Sequence, residues 1–202
     1  YFVATEYIVG IDEVGRGPLA GPVTIGIVVI DARIDVAELI PSIWDSKALS
    51  PLDRHDVYTQ ACVLEKESTI VFGVFSESAS VIDALGLGHA LRRAIQKGLN
   101  ALTIEPSNTS IFLDGRLKAP KEYRQETIIG GDLKVPVISL ASIVAKVTRD
   151  RFMETTIATR YPMYGFERHK GYGTAEHIRA LKTYGPTPVH RRSFLKNFKL
   201  RA

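Results

Sequence analysis

The stretch "IVGIDEVGRGPLAGPV", residues 8–23, joins an apolar strand-like run directly to two adjacent acids and a Gly-Arg-Gly turn. Acidic side chains stay in solvent unless a positive group holds them, so Asp12 and Glu13 after a buried-type run need a partner. The glycines on either side of Arg16 favour a backbone that a large ligand can approach closely. The segment therefore predicts a strand that ends at a binding site.

Hydrophobic periodicity predicts further strands and helices on both sides of this segment. Residues 6–12, 22–30 and 68–76 are rich in Ile, Val, Phe and Thr and predict strands, and "SIFLDG" at 110–115 predicts another. Ser50, followed by Pro51 and Asp53, predicts a helix start. A brief extended segment is expected after Asp132, and further helices are expected over 78–99, 138–160, 174–184 and 191–198.

Strands followed by alternating strands and helices indicate an α/β layer architecture with a mixed sheet. We expect a single domain, residues 1–202, with a core over about 1–160 and a C-terminal helical extension over about 161–202.

Composition excludes several classes of protein and favours a polyanionic partner. The longest apolar run is far shorter than the ~20 residues of a membrane span, and no secretory signal is visible, so we expect no membrane contact. A single cysteine, Cys62, fits a reducing, cytoplasmic compartment. The net charge is +4, but residues 168–202 carry nine Lys or Arg against one acid. Such a basic segment indicates a nucleic acid or another polyanion.

Acids at strand ends predict a metal site. Asp12 and Asp114 each end a buried apolar strand, and Asp132 follows a glycine pair. Because strand side chains alternate faces, Asp12 and Glu13 reach one site only if the strand ends or bulges there. Clustered carboxylates repel one another, and a hard divalent cation such as Mg²⁺ or Mn²⁺ relieves that repulsion. Two such ions ~4 Å apart support phosphodiester hydrolysis.

Seven ordered blocks make the sequence resemble the bacterial ribonuclease HII family. They are "GIDEVGRGPLAGPV", "DSKALS", "FLDGR", "GGD", "ASIVAKVTRD", "HKGYGT" and "GPTPVHRRSF", and they span most of the chain. The resemblance implies a ribonuclease H-like fold, a central five-stranded mixed sheet flanked by helices. It also implies Mg²⁺- or Mn²⁺-dependent cleavage of the RNA strand of RNA/DNA hybrids. Cleavage is expected 5′ to a ribonucleotide at an RNA–DNA junction, a single ribonucleotide in duplex DNA included, leaving 5′-phosphate and 3′-hydroxyl ends.

The resemblance also assigns expected roles to individual residues. Asp12, Glu13, Asp114 and Asp132 match the family's catalytic, metal-holding acids, and Asp150 matches a motif acid that we interpret as an orienting partner. Gly15, Arg16 and Gly17 are expected to approach the ribose, whose 2′-hydroxyl distinguishes RNA from DNA. The ring of Tyr172 is expected to stack on the sugar that follows the ribonucleotide. Phosphate contacts are expected from Lys47, Ser142, Lys146, Arg191 and Arg192.

The helix over 138–160 divides into two faces by its periodicity. Leu140, Ile143, Val144 and Val147 form an apolar stripe, and Ser139, Ser142, Lys146 and Arg149 form the opposite, polar stripe. Ser142 and Lys146 lie one turn apart, close enough to hold one phosphate. We expect His169 and His190 to orient loops or touch substrate backbone, and the remaining histidines to be surface or core residues.

Three alternatives remain at this point. A ribonuclease HIII-like nuclease shares the fold but carries an extra N-terminal domain and lacks the Gly-Arg-Gly signature. A catalytically silent hybrid-binding subunit would not need all four acids. A nucleotide-binding loop at 15–21 lacks the Gly-Lys-Ser/Thr ending of that motif. We expect a monomer, and a replication-clamp contact stays open.

Overall fold

The computed structural model describes residues 6–45, 49–196 and 198, with the side chains of 44 and 45 left aside. Five strands in this part of the chain form one mixed sheet in the order β3-β2-β1-β4-β5. β1 runs antiparallel to β2 and parallel to β4. The predicted mixed-sheet α/β architecture is thereby confirmed. The strands are β1 (Tyr7–Val14), β2 (Val23–Asp31), β3 (Ile70–Glu77), β4 (Thr109–Asp114) and β5 (Arg124–Ile128).

Helices flank the sheet on both faces. They are α1 (Val36–Leu39), α2 (Pro51–Lys66), α3 (Ala79–Leu85), α4 (Leu87–Ala101), α5 (Pro136–Phe152), α6 (Ala158–Arg160), α7 (Phe166–His169) and α8 (Ala175–Tyr184). A π-helical turn, Met153–Ile157, joins α5 to α6. Short 3-10 turns cover Pro41–Asp45, Pro106–Asn108, Gly131–Leu133, Pro162–Tyr164 and Arg192–Phe194. Within the described residues, no helix combines the length and apolarity needed to cross a bilayer.

Most predicted elements are confirmed, and local chemistry explains their bounds. The hydroxyl of Ser50 accepts from Asp53 N, and the Asp53 carboxylate accepts from Ser50 N, which closes a capping box at the start of α2. The long helix predicted over 78–99 breaks at Gly86, whose φ of 79° ends α3 and begins α4.

Three expectations differ from the structure. β5 was not predicted, because "RQETI" is a largely exposed edge strand without an apolar run. The extended segment expected after Asp132 is wrong, since a 3-10 turn there leads directly into α5 at Pro136. The helix expected over 191–198 is a single turn, Arg192–Phe194, in the part of that segment that the structure describes.

The central strands bury both faces, and two glycines set how closely α5 approaches them. Alternate β1 and β2 residues pack toward α4 on one face and toward α5 and α2 on the other. A β-carbon at Gly10 would lie 2.3 Å from the Val137 carbonyl oxygen, and one at Gly26 would lie 2.1 Å from that of Ala141. The helix backbone therefore rests on the strand backbone at both positions.

The C-terminal segment has its own small core against the 18–22 loop. His169 stacks on His177 with ring centroids 4.6 Å apart, and His177 Nε2 lies 3.0 Å from His190 Nε2. All three rings are buried, and Tyr164 and Phe166 pack around them. This arrangement agrees with loop-orienting roles for His169 and His190 and with a core role for His177.

We predict that Gly26→Ala destabilises the protein while Gly88→Ala does not. The alanine at 26 pushes α5 off the sheet, at a cost of about 1–3 kcal/mol. Gly88 lies in α4 with open space around it, so alanine there gains about 0.5–1 kcal/mol. Thermal denaturation of the two variants checks this, and a Gly26→Ala protein as stable as the unmodified chain would contradict the close approach of α5.

Candidate active site

Three carboxylates meet at the carboxyl ends of two central, parallel strands. β1 and β4 are neighbours, and their pairing ends at Ile11 and Leu113, one residue before Asp12 and Asp114. Carboxylate oxygens of Asp12, Glu13 and Asp114 all lie within 4.8 Å of one another. The convergence expected from the acid-ended strands is therefore present.

The expected strand end at Asp12 is only half correct. On the β2 side the antiparallel ladder continues regularly through Glu13 and Val14, with no bulge. On the β4 side pairing stops at Ile11, so the edge of β1 is open beyond that residue. Asp12 lies on the α5 face, and the longer Glu13 side chain reaches the same site around this open edge.

Burial makes the cluster electrostatically costly. Burial raises the pKa of Asp12 to about 8, and the neighbouring charges of Glu13 and Asp114 add to it, although the side chain of Ser142 opposes this rise in pKa. Burial also raises the pKa of Glu13, against the opposing effect of Arg16. Among the residues that the structure describes, the buried Glu13 Oε2 has no hydrogen-bond partner. Oxygen-only ligands with an unpartnered buried atom fit a hard divalent cation.

Asp132 lies beside the cluster and does not join the three acids whose oxygens converge. It lines a cavity of about 200 Å³ together with Glu13, Ser142 and Lys146. Its carbonyl accepts from Ser139 Oγ at 2.5 Å, and Asp114 Oδ1 accepts from Gly131 N at 2.6 Å. These bonds fix the 130–135 turn, so the fourth predicted acid faces the same cavity from its rim.

The Gly15–Gly17 loop and Tyr172 lie side by side. A β-carbon at Gly17 would sit 4.0 Å from Tyr172 Cε1, and the tyrosine ring is 39% exposed. Arg16 Nη1 donates to Glu13 Oε1 at 2.7 Å, so its guanidinium is paired with an acid of the cluster in this structure. Gly15 has a φ of 86°, a conformation that side-chain-bearing residues rarely adopt.

The polar face of α5 divides differently from the sequence prediction. Ser142 contacts Asp12, and Lys146 pairs with Asp150 Oδ2 at 2.8 Å, so both lie at the site. Asp150 contacts this lysine and stands apart from the converging acids, as expected for an orienting partner. Ser139 and Arg149, which the sequence places on the polar stripe opposite the apolar one, are both buried, at 1% exposure. Their polar groups bond to backbone carbonyls of adjoining loops.

The remaining predicted contacts lie in different settings. Arg191 is fully buried and donates to backbone carbonyls of the 15–21 loop, so its guanidinium does not face a substrate here. The Arg192 side chain is exposed, and its N–H donates to Asp83 Oδ2 at 2.8 Å. Lys47 lies outside the described residues. Asp83 also accepts from Ser193 N and so holds the C-terminal segment on α3.

A basic groove adjoins the acids, and sequence reasoning missed it. A cavity of about 580 Å³ shares Arg54 and Lys146 with the smaller cavity that holds Glu13. Five cations line it against two carboxylates, and Tyr172 stands at its wall. The cations are Arg54, Lys146, Arg151, Arg168 and Lys170. Arg54 gave no signal in the sequence, because α2 carries mixed charges and only the fold brings its first turn to the site.

A five-stranded mixed sheet, converging carboxylates at its central strand ends and an adjoining basic groove define a metal-dependent nuclease of the ribonuclease H type. Known proteins carry the same combination. The ribonuclease HII family model matches residues 9–197. Ribonuclease HII of Lactobacillus helveticus is 44% identical over 189 residues, covering 94% of this chain and 71% of the relative. That of Caldicellulosiruptor bescii is 42% identical, covering 95% and 88%.

Solved structures share the fold. Ribonuclease H2 from Pyrococcus horikoshii superposes with a TM-score of 0.70 at 25% identity, covering 95% of this chain and all of that one. A ribonuclease HII from Archaeoglobus fulgidus, solved in complex with PCNA, gives 0.73 at 22% identity, covering 96% and 98%. Bst-RNase HIII in complex with Mn²⁺ gives 0.64 at 17%, covering 96% of this chain and 66% of that one.

The chain belongs to the ribonuclease HII family, whose members are endonucleases acting on RNA/DNA hybrids. The resemblance read from the seven sequence blocks is confirmed, and the match to the ribonuclease HII model favours it over the ribonuclease HIII alternative.

We predict that Asp12→Asn stabilises the metal-free protein and abolishes its stabilisation by Mg²⁺ or Mn²⁺. The folded-state pKa of Asp12, about 8, lies above the ordinary 3.8, so the ionised carboxylate costs stability increasingly as pH rises between these values. Asparagine removes that cost and one ligand. Metal bound at 100 times its Kd adds about 2.7 kcal/mol to the unmodified protein.

Melting temperatures with chelator and with metal check this prediction, and the exposed α2 variant Asp56→Asn is the control. The gain from Asp12→Asn should be largest near pH 8 and shrink toward pH 4. A metal-induced shift that survives in Asp12→Asn would argue against the cluster as the metal site.

Proposed function

We propose that the protein cuts the strand 5′ to a ribonucleotide at an RNA–DNA junction, a single ribonucleotide within duplex DNA included, and leaves 5′-phosphate and 3′-hydroxyl ends. One observation carries the proposal: the Gly15–Gly17 backbone and the Tyr172 ring adjoin each other beside the converging acids. A sugar placed there meets backbone on one side and an aromatic face on the other. Backbone groups can read a 2′-hydroxyl, and a flat ring suits a deoxyribose.

Metal binding is assigned to Asp12, Glu13 and Asp114, with Asp132 completing the site from its rim. Bound there, one or two Mg²⁺ or Mn²⁺ ions would supply Lewis-acid stabilisation of the reacting phosphate and a reactive water. Asp114 also holds the 130–132 turn through Gly131 N, which keeps Asp132 beside the cavity.

The protein's cations hold the phosphates on either side of the reacting bond. Ser142 and Lys146 lie one helical turn apart on α5, between the acids and the basic groove. Arg16 is paired with Glu13, and we propose that it turns to the neighbouring phosphate when Glu13 is engaged. The groove continues the site toward Arg54 and Lys170, where the duplex backbone would lie.

The C-terminal segment, about residues 161–202, is proposed as the substrate-binding extension of the catalytic core. It supplies Tyr172 and two groove cations, Arg168 and Lys170. Lys47 and Arg192 are kept as proposed phosphate contacts. We expect the protein to act as a cytoplasmic monomer.

Cleavage of a DNA duplex carrying one internal ribonucleotide tests the proposal. The expected product is a nick 5′ to the ribonucleotide with Mg²⁺ or Mn²⁺, and none with chelator. Asp114→Asn keeps the oxygen that accepts from Gly131 N but lowers the rate by at least about 100-fold, since it removes a charged ligand. Asp56→Asn should cut normally.

The outcomes separate the alternatives. Cleavage confined to long hybrid tracts would leave the nuclease assignment standing and remove the junction proposal. No cleavage of either substrate would favour a silent hybrid-binding subunit. Arg16→Ala and Tyr172→Ala should each slow junction cleavage by about 10–100-fold through misplacement of the sugar, and unchanged rates in both would remove their proposed roles.

We predict that Arg54→Ala weakens hybrid binding and lowers its salt dependence. Loss of one phosphate contact should reduce the slope of log affinity against log salt by about 0.9. Binding is measured in the Asp114→Asn background, and Arg93→Ala on α4, where the arginine pairs with Glu77, serves as control. An unchanged slope for Arg54→Ala would show that the duplex does not follow the groove.

A further inference from the structure

Two arginines are fully buried behind the loops that face the substrate. Arg149 on α5 and Arg191 near the C-terminus are 1% and 0% exposed. Burying a guanidinium is costly unless its donors are satisfied, so these two groups are expected to have a defined task. Neither pairs closely with a carboxylate: the nearest approach is 3.9 Å between Arg149 Nη1 and Asp150 Oδ1. Their donors point mainly at backbone carbonyls instead.

Arg149 bridges two loops. Its Nε donates to Pro22 O at 2.9 Å, and its Nη2 donates to Ala20 O at 3.4 Å and Lys170 O at 3.2 Å. The first two acceptors belong to the loop that continues from Gly17, and the third lies two residues before Tyr172. One planar group thus sets the distance between the glycine loop and the tyrosine loop.

Arg191 holds the glycine loop from its other end. Its three donors reach Gly21 O at 3.0 Å, Arg16 O at 3.0 Å and Gly15 O at 2.6 Å. These bonds turn the carbonyls of the Gly-Arg-Gly segment inward, so its opposite face is presented to the site.

Backbone contacts show how tight this assembly is. Leu19 N donates to Gly171 O at 2.8 Å, and a β-carbon at Gly171 would lie 2.3 Å from Ala20 O. A β-carbon at Gly15 would lie 2.4 Å from Arg149 Nε. The two loops are packed in direct contact with each other and with Arg149. A small displacement of Arg149 therefore moves Tyr172 relative to Gly17.

We propose that Arg149 is a positioning residue for junction selection: it fixes the Tyr172 loop against the Gly15–Gly17 loop at the spacing that accepts a ribonucleotide followed by a deoxyribonucleotide. This inference rests on the proposed function. Arg191 supports it by shaping the glycine loop. Arg149 touches no substrate, and the acids that carry the chemistry lie two helical turns away on the other side of Ser142 and Lys146.

Arg149→Lys tests the inference, because lysine keeps the charge but cannot span three carbonyls with a rigid fork. Rates are compared on a duplex with one ribonucleotide and on a continuous RNA/DNA hybrid. We expect kcat on the single ribonucleotide to fall by about 10–100-fold with KM changed less than about threefold, and the hybrid rate to fall less than about threefold. The preference for the junction then drops by at least about threefold.

Two controls separate positioning from loss of stability. Leu99→Ala removes a buried side chain on the far face of the sheet, at about 2–5 kcal/mol, and should leave the junction preference unchanged. Arg93→Lys repeats the same chemical change on the surface of α4. Amide exchange gives a readout besides activity: Leu19 N–H, which donates to Gly171 O, should exchange faster in Arg149→Lys than in Leu99→Ala.

Gly171→Ala reaches the same contact from the backbone and guards against an Arg149 variant that does not fold. Its β-carbon meets Ala20 O, at a φ of 87°, and should separate the two loops with Arg149 in place. An unchanged preference in the folded variants, an equal shift in Leu99→Ala, or failure of both variants to fold would each overturn the inference. Failure of the unmodified protein to cut the single-ribonucleotide duplex would instead overturn the proposed function.

Discussion

The direct contact between the backbone of α5 and the backbone of β1 and β2 is the constraint on which the site depends. Glycine at 10 and 26 lets the helix approach until carbonyls of Val137 and Ala141 touch the strands. At that distance Ser142 reaches Asp12. With larger residues at 10 and 26 the helix would stand further away, and Ser142 would lie further from the acid. Glycine therefore occupies two strand positions at which β-branched residues normally pack better. The close approach of α5 to the carboxylate of Asp12 depends on these two glycines.

The buried charges form two groups of opposite sign, and each bears a different cost. Burial is the main cause of the raised pKa of Asp12, the charges of Glu13 and Asp114 add to it, and a bound cation would relieve the cost of ionising the cluster. The two arginines have permanent partners in backbone carbonyls, apart from Arg149 Nη1, which has no hydrogen-bond partner among the described residues. Burial together with the neighbouring Arg149 lowers the pKa of Arg191 to about 10, which still leaves it charged at neutral pH. The acids are therefore costly to ionise without a bound ligand, whereas the arginines stabilise their loops without one.

Local chemistry made much of this structure predictable from the sequence. Segments rich in Ile, Val, Phe and Thr predicted strands β1 to β4, and Ser50 with Pro51 and Asp53 predicted the start of α2. Convergence of Asp12 with Asp114 followed from acids ending apolar strands, which proved to be parallel neighbours. The edge strand β5 was not predicted, because it pairs on one side only and its residues are largely polar.

The burial of Arg149 could not be predicted, because its position on α5 continues the polar stripe of Ser142 and Lys146. The 15–22 loop and the C-terminal segment, which both fold over this part of the helix, enclose it. The sequence pattern of a helix shows which residues share a face. It does not show which segment, distant in the sequence, packs against that face. Arg54 escaped for the same reason, since the first turn of α2 meets α5 only in three dimensions.

Helix α5 joins chemistry and selection through the spacing of three side chains. Ser142 touches an acid, Lys146 stands one turn on between the acids and the groove, and Arg149 holds the loops about one turn further. Because a helix is stiff over this length, the acids, the proposed phosphate contact and the sugar-reading loops keep fixed separations. Under the proposed function, a substrate whose sugar does not fit the loops would present its phosphate to the acids in the wrong place. Discrimination would then need no separate recognition step, since misfit at the sugar would become misplacement at the reacting bond.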